Sequence, residues 1–385
     1  MNLPEVLERC RQICQDPDFN DAIRWKKEHP GAKAVGCFPV YTPAEIIHAC
    51  GMLPVGVMGA GNLIDIDRAD SRIQSFICSI ARSTVELGLT DRLKFLDAIY
   101  FTSICDVSRN VSGVWKRNFP GVLVEYIHYP QNIQSKHALE YYRSELARLK
   151  ANLEKLAGRS AGDDALREST RLFNEYRRSV GELYRVRREK PWLFSAEEAY
   201  SLIRASTRLP VEESTPMIRG VLDALPARGA RPRDGIRVVL EGAFCEQPPL
   251  GMLRAIEDAG AFVVDDDLLV GWRWFKEDVP LEGDPLANLA QSYLDRSVYS
   301  SVRHCGDRPR DQDLIQKVRA TQAQGVILCA AKFCEPALLD YVIFREALEK
   351  EGIPYLSVEF EERMEVFESV RSQVETFAES LLFFA

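Results

Sequence analysis

Short apolar runs of strand length alternate with helix-forming segments in two parts of the chain. Such alternation is typical of βαβ units, which build parallel sheets. The pattern therefore predicts an α/β protein with two Rossmann-like or flavodoxin-like parallel-sheet domains and a helical region between them. The predicted strands lie in AVGCFPV (34–40), MLPVGVMG (52–59), FLDAIYFTS (95–103), GVLVEYI (121–127), IRVVLEGAF (236–244), AFVVDD (261–266), GVILCAAKF (325–333) and PYLSVEF (354–360).

The middle of the chain has leucines at helical spacing instead. They recur three or four residues apart, and a stretch rich in Gly, Pro and Arg, PARGARPRDG, then predicts a linker. The two α/β series around this block resemble a distant internal duplication. We predict an N-terminal helical segment (1–30), a first α/β domain (31–135), a helical region (136–230) and a second α/β domain (231–385).

The segment TPAEIIHACG predicts a helix directly after the first strand. Thr42 is expected as the N-cap, with Pro43 at the first helical position and Gly51 at the end. Glu45, at the third position, fits the acidic member of a capping box.

The acidic balance of the chain excludes some classes of partner. With 49 basic and 57 acidic residues the net charge is -8, so a general nucleic-acid binder is not expected. No run approaches the roughly 18 apolar residues of a membrane span, and the first residues lack a secretory core. We therefore expect a cytoplasmic protein without membrane contact. Its ten cysteines should then be reduced, catalytic or metal-bound rather than bridged.

Sequence motifs for common nucleotide and metal sites are not found. There is no P-loop, GxGxxG or CxxC pattern, so ATP binding through a P-loop is not expected. Cys10 with Cys14, and His304 with Cys305, are poor candidates for metal sites. We expect Cys10 and Cys14 in the core or at the surface.

Three cysteines stand where an open α/β sheet places functional residues, just past the carboxyl ends of strands. Cys105 and Cys334 each follow a predicted strand and precede a predicted helix, and Cys78 lies where another helix starts or passes. Helix N-termini favour thiolates. Three thiolates suggest a 4Fe-4S cluster with one iron open to another ligand. The alternative is that all three are small buried hydrophobes. Cys50, Cys245 and Cys329 are expected in the core, and Cys37 could lie beside the cluster.

Four motifs in order give the chain a resemblance to a known family. CFPVYTPAEIIHACGMLPV, CSIAR, SICDVSRN and KFCEPALLDY, with REALEKEGIPYLSVEFE downstream, resemble the benzoyl-CoA reductase and 2-hydroxyacyl-CoA dehydratase family over nearly the whole chain. The length and the CDVSRN form are most similar to the C-type subunits of ATP-dependent benzoyl-CoA reductases.

The resemblance implies a site and a set of partners. It places a 4Fe-4S cluster with one iron not held by cysteine on Cys78, Cys105 and Cys334, and puts Glu45 nearby as a proton relay. It also implies a homologous second subunit, an ATP-hydrolysing activator, ferredoxin as the electron donor and a CoA thioester as the substrate. ATP would be used by the partner chains, in the anaerobic degradation of aromatic compounds. Lys332 and Glu335 lie beside Cys334, where they are cluster neighbours or solvated loop charges.

Several alternatives stay open within this resemblance. The cluster motifs fit both ring reduction of benzoyl-CoA and dehydration of a 2-hydroxyacyl-CoA through a ketyl radical, and the chain could also be a non-catalytic scaffold. A double-cubane cluster would need further thiolates, which Cys37, Cys245, Cys305 and Cys329 could supply. The basic segment RRSVGELYRVRREK is expected to be a solvated helix face, with the thioester phosphates or the activator as alternative contacts. Its arginines are Arg177, Arg178, Arg185, Arg187 and Arg188.

Overall fold

Two parallel four-stranded sheets form the framework of the protein. The computed structural model describes residues 2–39, 42–242, 247–268, 274–275, 277–298 and 309–383. All eight predicted strands are present, which confirms the α/β class with two parallel sheets. The strands are β1 (Ala34–Phe38), β2 (Leu53–Gly56), β3 (Ala98–Thr102), β4 (Leu123–Ile127), β5 (Ile236–Glu241), β6 (Ala261–Asp266), β7 (Gly325–Ala331) and β8 (Tyr355–Phe360).

The two sheets share one topology. The first is ordered β2-β1-β3-β4 and the second β6-β5-β7-β8, so the chain reverses its direction across each sheet after the second strand. Each sheet therefore has a switch point between its first and third strands, at β1/β3 and at β5/β7, where loops diverge and open α/β proteins bind ligands. The shared order agrees with the suggested internal duplication.

The helices surround these sheets, and the predicted helical block is present. No helix among the described residues is long and apolar enough to cross a membrane. One contiguous apolar core contains side chains from both sheets and from the helical block. The helices are α1 (Leu3–Cys14), α2 (Asn20–Glu28), α3 (Ala44–Ala49), α4 (Ser79–Leu89), α5 (Asp106–Asn118), α6 (Ala138–Ala157), α7 (Asp163–Glu189), α8 (Ala196–Ser206), α9 (Val211–Ala224), α10 (Leu250–Asp258), α11 (Pro285–Arg296), α12 (Arg310–Thr321), α13 (Glu335–Glu351) and α14 (Glu368–Phe383).

The start of α3 differs from the prediction. Pro43, not Thr42, is the N-cap, and it makes no side-chain capping hydrogen bond. Thr42 is buried, and its hydroxyl has no hydrogen-bond partner among the described residues. Glu45 is the second residue of the helix, and its carboxylate accepts a hydrogen bond from Arg177 of α7. No capping box can form with Pro43 at the N-cap, because proline has neither a side-chain acceptor nor a backbone N–H.

Asp97 joins the N-terminal helices to the first sheet. Its carboxylate accepts hydrogen bonds from Lys26 Nζ at 2.7 Å and from the Ala34 backbone N–H at 2.9 Å, and Lys33 Nζ lies 3.2 Å away. Burial by itself would raise the pKa of this carboxyl group, but the bonds from Lys26 and Ala34 lower the pKa below its usual value. The ionised form is therefore the one that stabilises the fold.

We expect Asp97→Asn to lower the free energy of unfolding at pH 7 by about 1.5–3 kcal/mol, as for hydrogen bonds to a charged group. A carboxyl group whose pKa is lower in the folded state stabilises the fold fully at pH values above its unfolded-state pKa of about 3.9. This stabilisation is lost as the pH falls through the folded-state pKa. The difference from the parent protein should therefore shrink below pH ~4 in urea unfolding curves. Asp164→Asn, at a fully exposed carboxylate, should change stability little at any pH; an equal effect of both changes would contradict the prediction.

Candidate functional site

Each of the three predicted cysteines is the N-cap residue of a helix. Cys78 precedes α4, Cys105 precedes α5 and Cys334 precedes α13. The first turn of a helix presents unpaired N–H groups and the positive end of the helix dipole, and both stabilise a negative sulfur. At Cys105 this is a direct contact, because the Ser108 backbone N–H donates to its Sγ at 3.4 Å. Each helix start thus offers a thiolate some local stabilisation, which acts against the cost of burying its charge.

Cys105 and Cys334 occupy equivalent positions in the two sheets. Strand β3 ends at Thr102 and β7 ends at Ala331, so each cysteine is the third residue after the third strand of its sheet. An acidic residue, Asp106 or Glu335, follows each cysteine as the first residue of the next helix. Both cysteines thus lie at the carboxyl edge of their sheet, beside its switch point.

The two equivalent cysteines lie close enough for the charge of one to affect the ionisation of the other. Cys334 is 7% exposed and Cys105 is half-buried. Burial raises the pKa of the Cys105 thiol to about 11; the Ser108 N–H lowers this pKa, and the nearby Cys334 raises it. Because such a charge effect acts over a short distance, the carboxyl ends of β3 and β7 lie near each other. Cys78, also half-buried, caps α4, and α4 packs against α5.

The three cysteines are sulfur donors, the kind of ligand that iron-sulfur clusters use. Within the described part of the chain, no three His, Cys, Asp or Glu side chains are close enough to hold one metal ion. The thiolates of a 4Fe-4S cluster each bind a different iron, so they stand farther apart than the ligands of one ion. Three sulfur donors at three helix N-termini meet the chemical requirement of such a cluster.

The other described cysteines are core residues. Cys10, Cys14, Cys50 and Cys329 are buried, as expected, and Cys37 is buried within β1. Burial raises the pKa of both the Cys10 and Cys37 thiols to about 12, which makes these thiols poor sources of thiolate. Three further predictions lie outside the described residues: Cys245, His304 and Cys305.

Glu45 is held by a partner that the sequence pattern did not reveal. Its side chain is 1% exposed and lies 2.6 Å from Arg177 Nη1. The second Nη of Arg177 donates to Asn174 Oδ1 at 2.7 Å, and the guanidinium lies 5.1 Å from the centre of the Phe275 ring. A small cavity beside this pair is also lined by Trp274. Nothing in the sequence links Glu45 with Arg177, because 132 residues separate them.

The basic segment of α7 is not a solvated face throughout, so that prediction is wrong for part of it. Arg187 is 1% exposed and pairs with Asp266 at 2.7 Å, and Arg177 is buried against Glu45. The physical reason is that α7 packs on β6, whose aspartates face it. The exposed arginines also have acidic partners: Arg178 with Asp278, Arg185 with Glu182 and Glu189, and Arg188 with Asp265. Every arginine of the segment is thus in an ion pair.

The charges beside Cys334 lie at the surface. Lys332 Nζ pairs with Glu361 at 2.7 Å, with both side chains about two-fifths exposed, and Glu335 is exposed at the start of α13. This agrees with the interpretation of both as solvated loop charges.

A buried carboxylate that the sequence did not single out connects the two sheet units. Glu362, two residues after β8, is 4% exposed, and its Oε2 accepts a hydrogen bond from Ser83 of α4 at 3.2 Å. Arg204 of α8 lies 3.7 Å from the other oxygen. Gly59 makes room for this contact, since its φ is +68° and a Cβ there would come within 2.5 Å of Glu362 Oε2. The helix capped by Cys78 is therefore fixed to the second sheet unit.

Comparisons with known proteins agree on one family. The family model described as 2-hydroxyglutaryl-CoA dehydratase, D-component, matches residues 39–381. The chain is 40% identical over 383 residues, 99% of both chains, to the C-type subunit of the benzoyl-CoA reductase of Thauera aromatica. It is 28% identical over 378 residues, 98% of both chains, to lactoyl-CoA dehydratase subunit beta of Anaerotignum propionicum. It is 26% identical over 371 residues, 94% of this chain and 98% of the other, to the (R)-phenyllactyl-CoA dehydratase beta subunit of Clostridium sporogenes.

Proposed function

We propose that this chain, which belongs to the 2-hydroxyglutaryl-CoA dehydratase D-component family, is the iron-sulfur catalytic subunit of an ATP-dependent benzoyl-CoA reductase. Its relatives show that it is an enzyme subunit of the reductase and dehydratase class. The observation that carries the proposal is the placement of Cys78, Cys105 and Cys334 at three helix N-termini. Identity of 40% to a benzoyl-CoA reductase subunit, against 26% and 28% to two dehydratase subunits, favours ring reduction over dehydration.

The three cysteines would hold a 4Fe-4S cluster. Each must lose its proton to do so, and the helix N-termini lower the electrostatic cost of that loss. When bound, the cluster supplies electrons at low potential and has one iron without a cysteine ligand. The burial of Cys334 and the partial burial of Cys105 would limit the access of water to these sulfur ligands.

The reaction also consumes protons, and we propose that Glu45 takes part in their transfer. Conversion of the aromatic ring to a cyclic dienoyl-CoA adds electrons and protons in equal number. The Glu45 carboxylate would take up and release a proton at its oxygens, while Arg177 holds the group in a fixed orientation. Burial of both side chains would keep bulk water away from this step.

A heteromeric enzyme is supported by the relatives, which are named as subunits. We propose a homologous second subunit, an ATP-hydrolysing activator and ferredoxin as partners, and a CoA thioester as the substrate. The sequence has no P-loop pattern, and in this scheme ATP is hydrolysed on the activator.

The test is iron and acid-labile sulfide analysis of the chain, co-expressed with its second subunit and purified without oxygen. We expect about four of each per chain. Benzoyl-CoA and a 2-hydroxyacyl-CoA are then offered to the complex with its activator, ATP and reductant, and only the former should be consumed. Folded protein without iron would refute the cluster, about eight irons would indicate the double-cubane type, and consumption of the hydroxyacyl thioester alone would make the enzyme a dehydratase.

A further inference from the structure

Helix α13 has apolar side chains on two opposite sides. Ala337, Phe344 and Leu348 are buried on the side that faces β7 and α12. The opposite side carries an apolar face that we call the α13 stripe. Its members and their exposed fractions are Leu338 (41%), Leu339 (72%), Val342 (46%) and Ile343 (49%).

The stripe is continuous because of its spacing. Residues at i, i+1, i+4 and i+5 share one side of a helix, so these four side chains form a single surface over the first half of α13. The side of a surface helix that points away from the core into water is normally polar. Large exposed apolar patches usually mark interaction sites.

Phe333 extends the stripe to the cysteine site. Its side chain is 39% exposed, and its backbone has a left-handed φ of 63°, a conformation that bulky residues rarely adopt. Such strained positions persist where the surrounding structure enforces them, and they cluster at functional sites. The next residue is Cys334, the N-cap of α13, so the apolar surface begins beside the candidate cluster.

We propose that the second subunit of the enzyme docks on the α13 stripe. This proposal rests on the proposed function, because it requires the second subunit that the proposed function includes. Four neighbouring outward positions without a charge are typical of permanent subunit interfaces, whereas transient interfaces are about as polar as the rest of a protein surface. The relatives are subunits of enzymes, which supplies a permanent partner. Arg345 and Glu349, an exposed ion pair farther along α13, would lie at the polar rim.

The test uses Leu339→Glu and Ile343→Glu in the full chain, co-expressed with the second subunit. We expect each change to weaken the complex at least a hundredfold in sedimentation equilibrium, because it buries a charge in an apolar interface. Val366→Glu is the matched control, since Val366 is 70% exposed and lies outside α13, and it should leave assembly unchanged. Circular dichroism and thermal unfolding of the variant chains should match those of the parent, because the substituted side chains are exposed.

Two outcomes would overturn the docking surface. One is normal assembly of both α13 variants, and the other is a homodimer of the parent chain that Leu339→Glu dissociates, which would assign the stripe to a second copy. Iron analysis of the same preparations keeps the two proposals apart. An iron-free complex that needs the stripe refutes the cluster and supports docking. An iron-containing complex that assembles without the stripe refutes docking alone.

Discussion

Cys105→Ser protein is expected to fold normally and to lose the proposed cluster and the proposed reductase activity. Serine is a good N-cap residue, so α5 should keep its start. A hydroxyl group, however, remains protonated where a thiol becomes a thiolate, and it is a poor ligand for cluster iron. Loss of a ligand should cost more than the 10–100-fold usual for residues that only support a ligand, so we expect activity to fall by at least ~100-fold. Iron content and the rate of benzoyl-CoA reduction measure this.

The same change at Cys334 should give the same result, because the two cysteines occupy equivalent positions in the two sheets. Cys50→Ala is the matched control, since this thiol is buried at the end of α3 and is not among the proposed ligands. It should retain the full iron content. Normal iron and activity in both serine variants would remove the proposed ligand set.

Replacement of Arg187 by methionine is expected to destabilise the protein by about 3–5 kcal/mol, the usual cost of breaking a buried ion pair. Arg187 and Asp266 are each 1% exposed, with 2.7 Å between Nη1 and Oδ2. The other Nη donates to the Val263 carbonyl at 2.6 Å. Without the guanidinium, the Asp266 carboxylate would lose this ion pair and keep the hydrogen bond from the Tyr184 hydroxyl, a weaker donor. Denaturant unfolding measures the loss.

Arg185→Met on the same helix is the control. Arg185 is 54% exposed and, among the described residues, pairs within α7 with Glu182 and Glu189, so its loss should change the stability little. The double change Arg187→Met with Asp266→Asn should recover part of the stability, because it removes the stranded charge. Equal losses of stability on replacing Arg185 and Arg187 would show that burial does not determine how much these ion pairs stabilise the protein.

The sequence predicted what depends on local pattern. All eight strands were predicted correctly because each is a short apolar run bounded by turn residues or charges. The end of α13 was predicted from Gly352, which adopts the left-handed conformation with φ 65° in the structure. The candidate cysteines were found because helix starts and strand ends are also local signals. Their positions at helix starts could be predicted from the order of strands and helices along the chain alone.

Contacts between distant segments could not be predicted in this way. The Glu45–Arg177 pair spans 132 residues and the Ser83–Glu362 bond spans 279, and no periodicity connects their ends. The burial of Arg187 depends on β6, whose two aspartates lie against α7 only in the folded chain. The N-cap of α3 was predicted one residue too early, at Thr42 instead of Pro43, and the partner of Glu45 is an arginine of α7 that no local pattern shows.

The facing cysteines have a consequence for how the chain holds together. Cys105 belongs to the first sheet unit and Cys334 to the second, so any group bound by both adds its binding free energy to the association of the two units. Opening between the units and release of that group then become one thermodynamic event. Loss of the proposed cluster to oxygen would leave a chain whose two units separate more readily, and such a chain would be more susceptible to proteases.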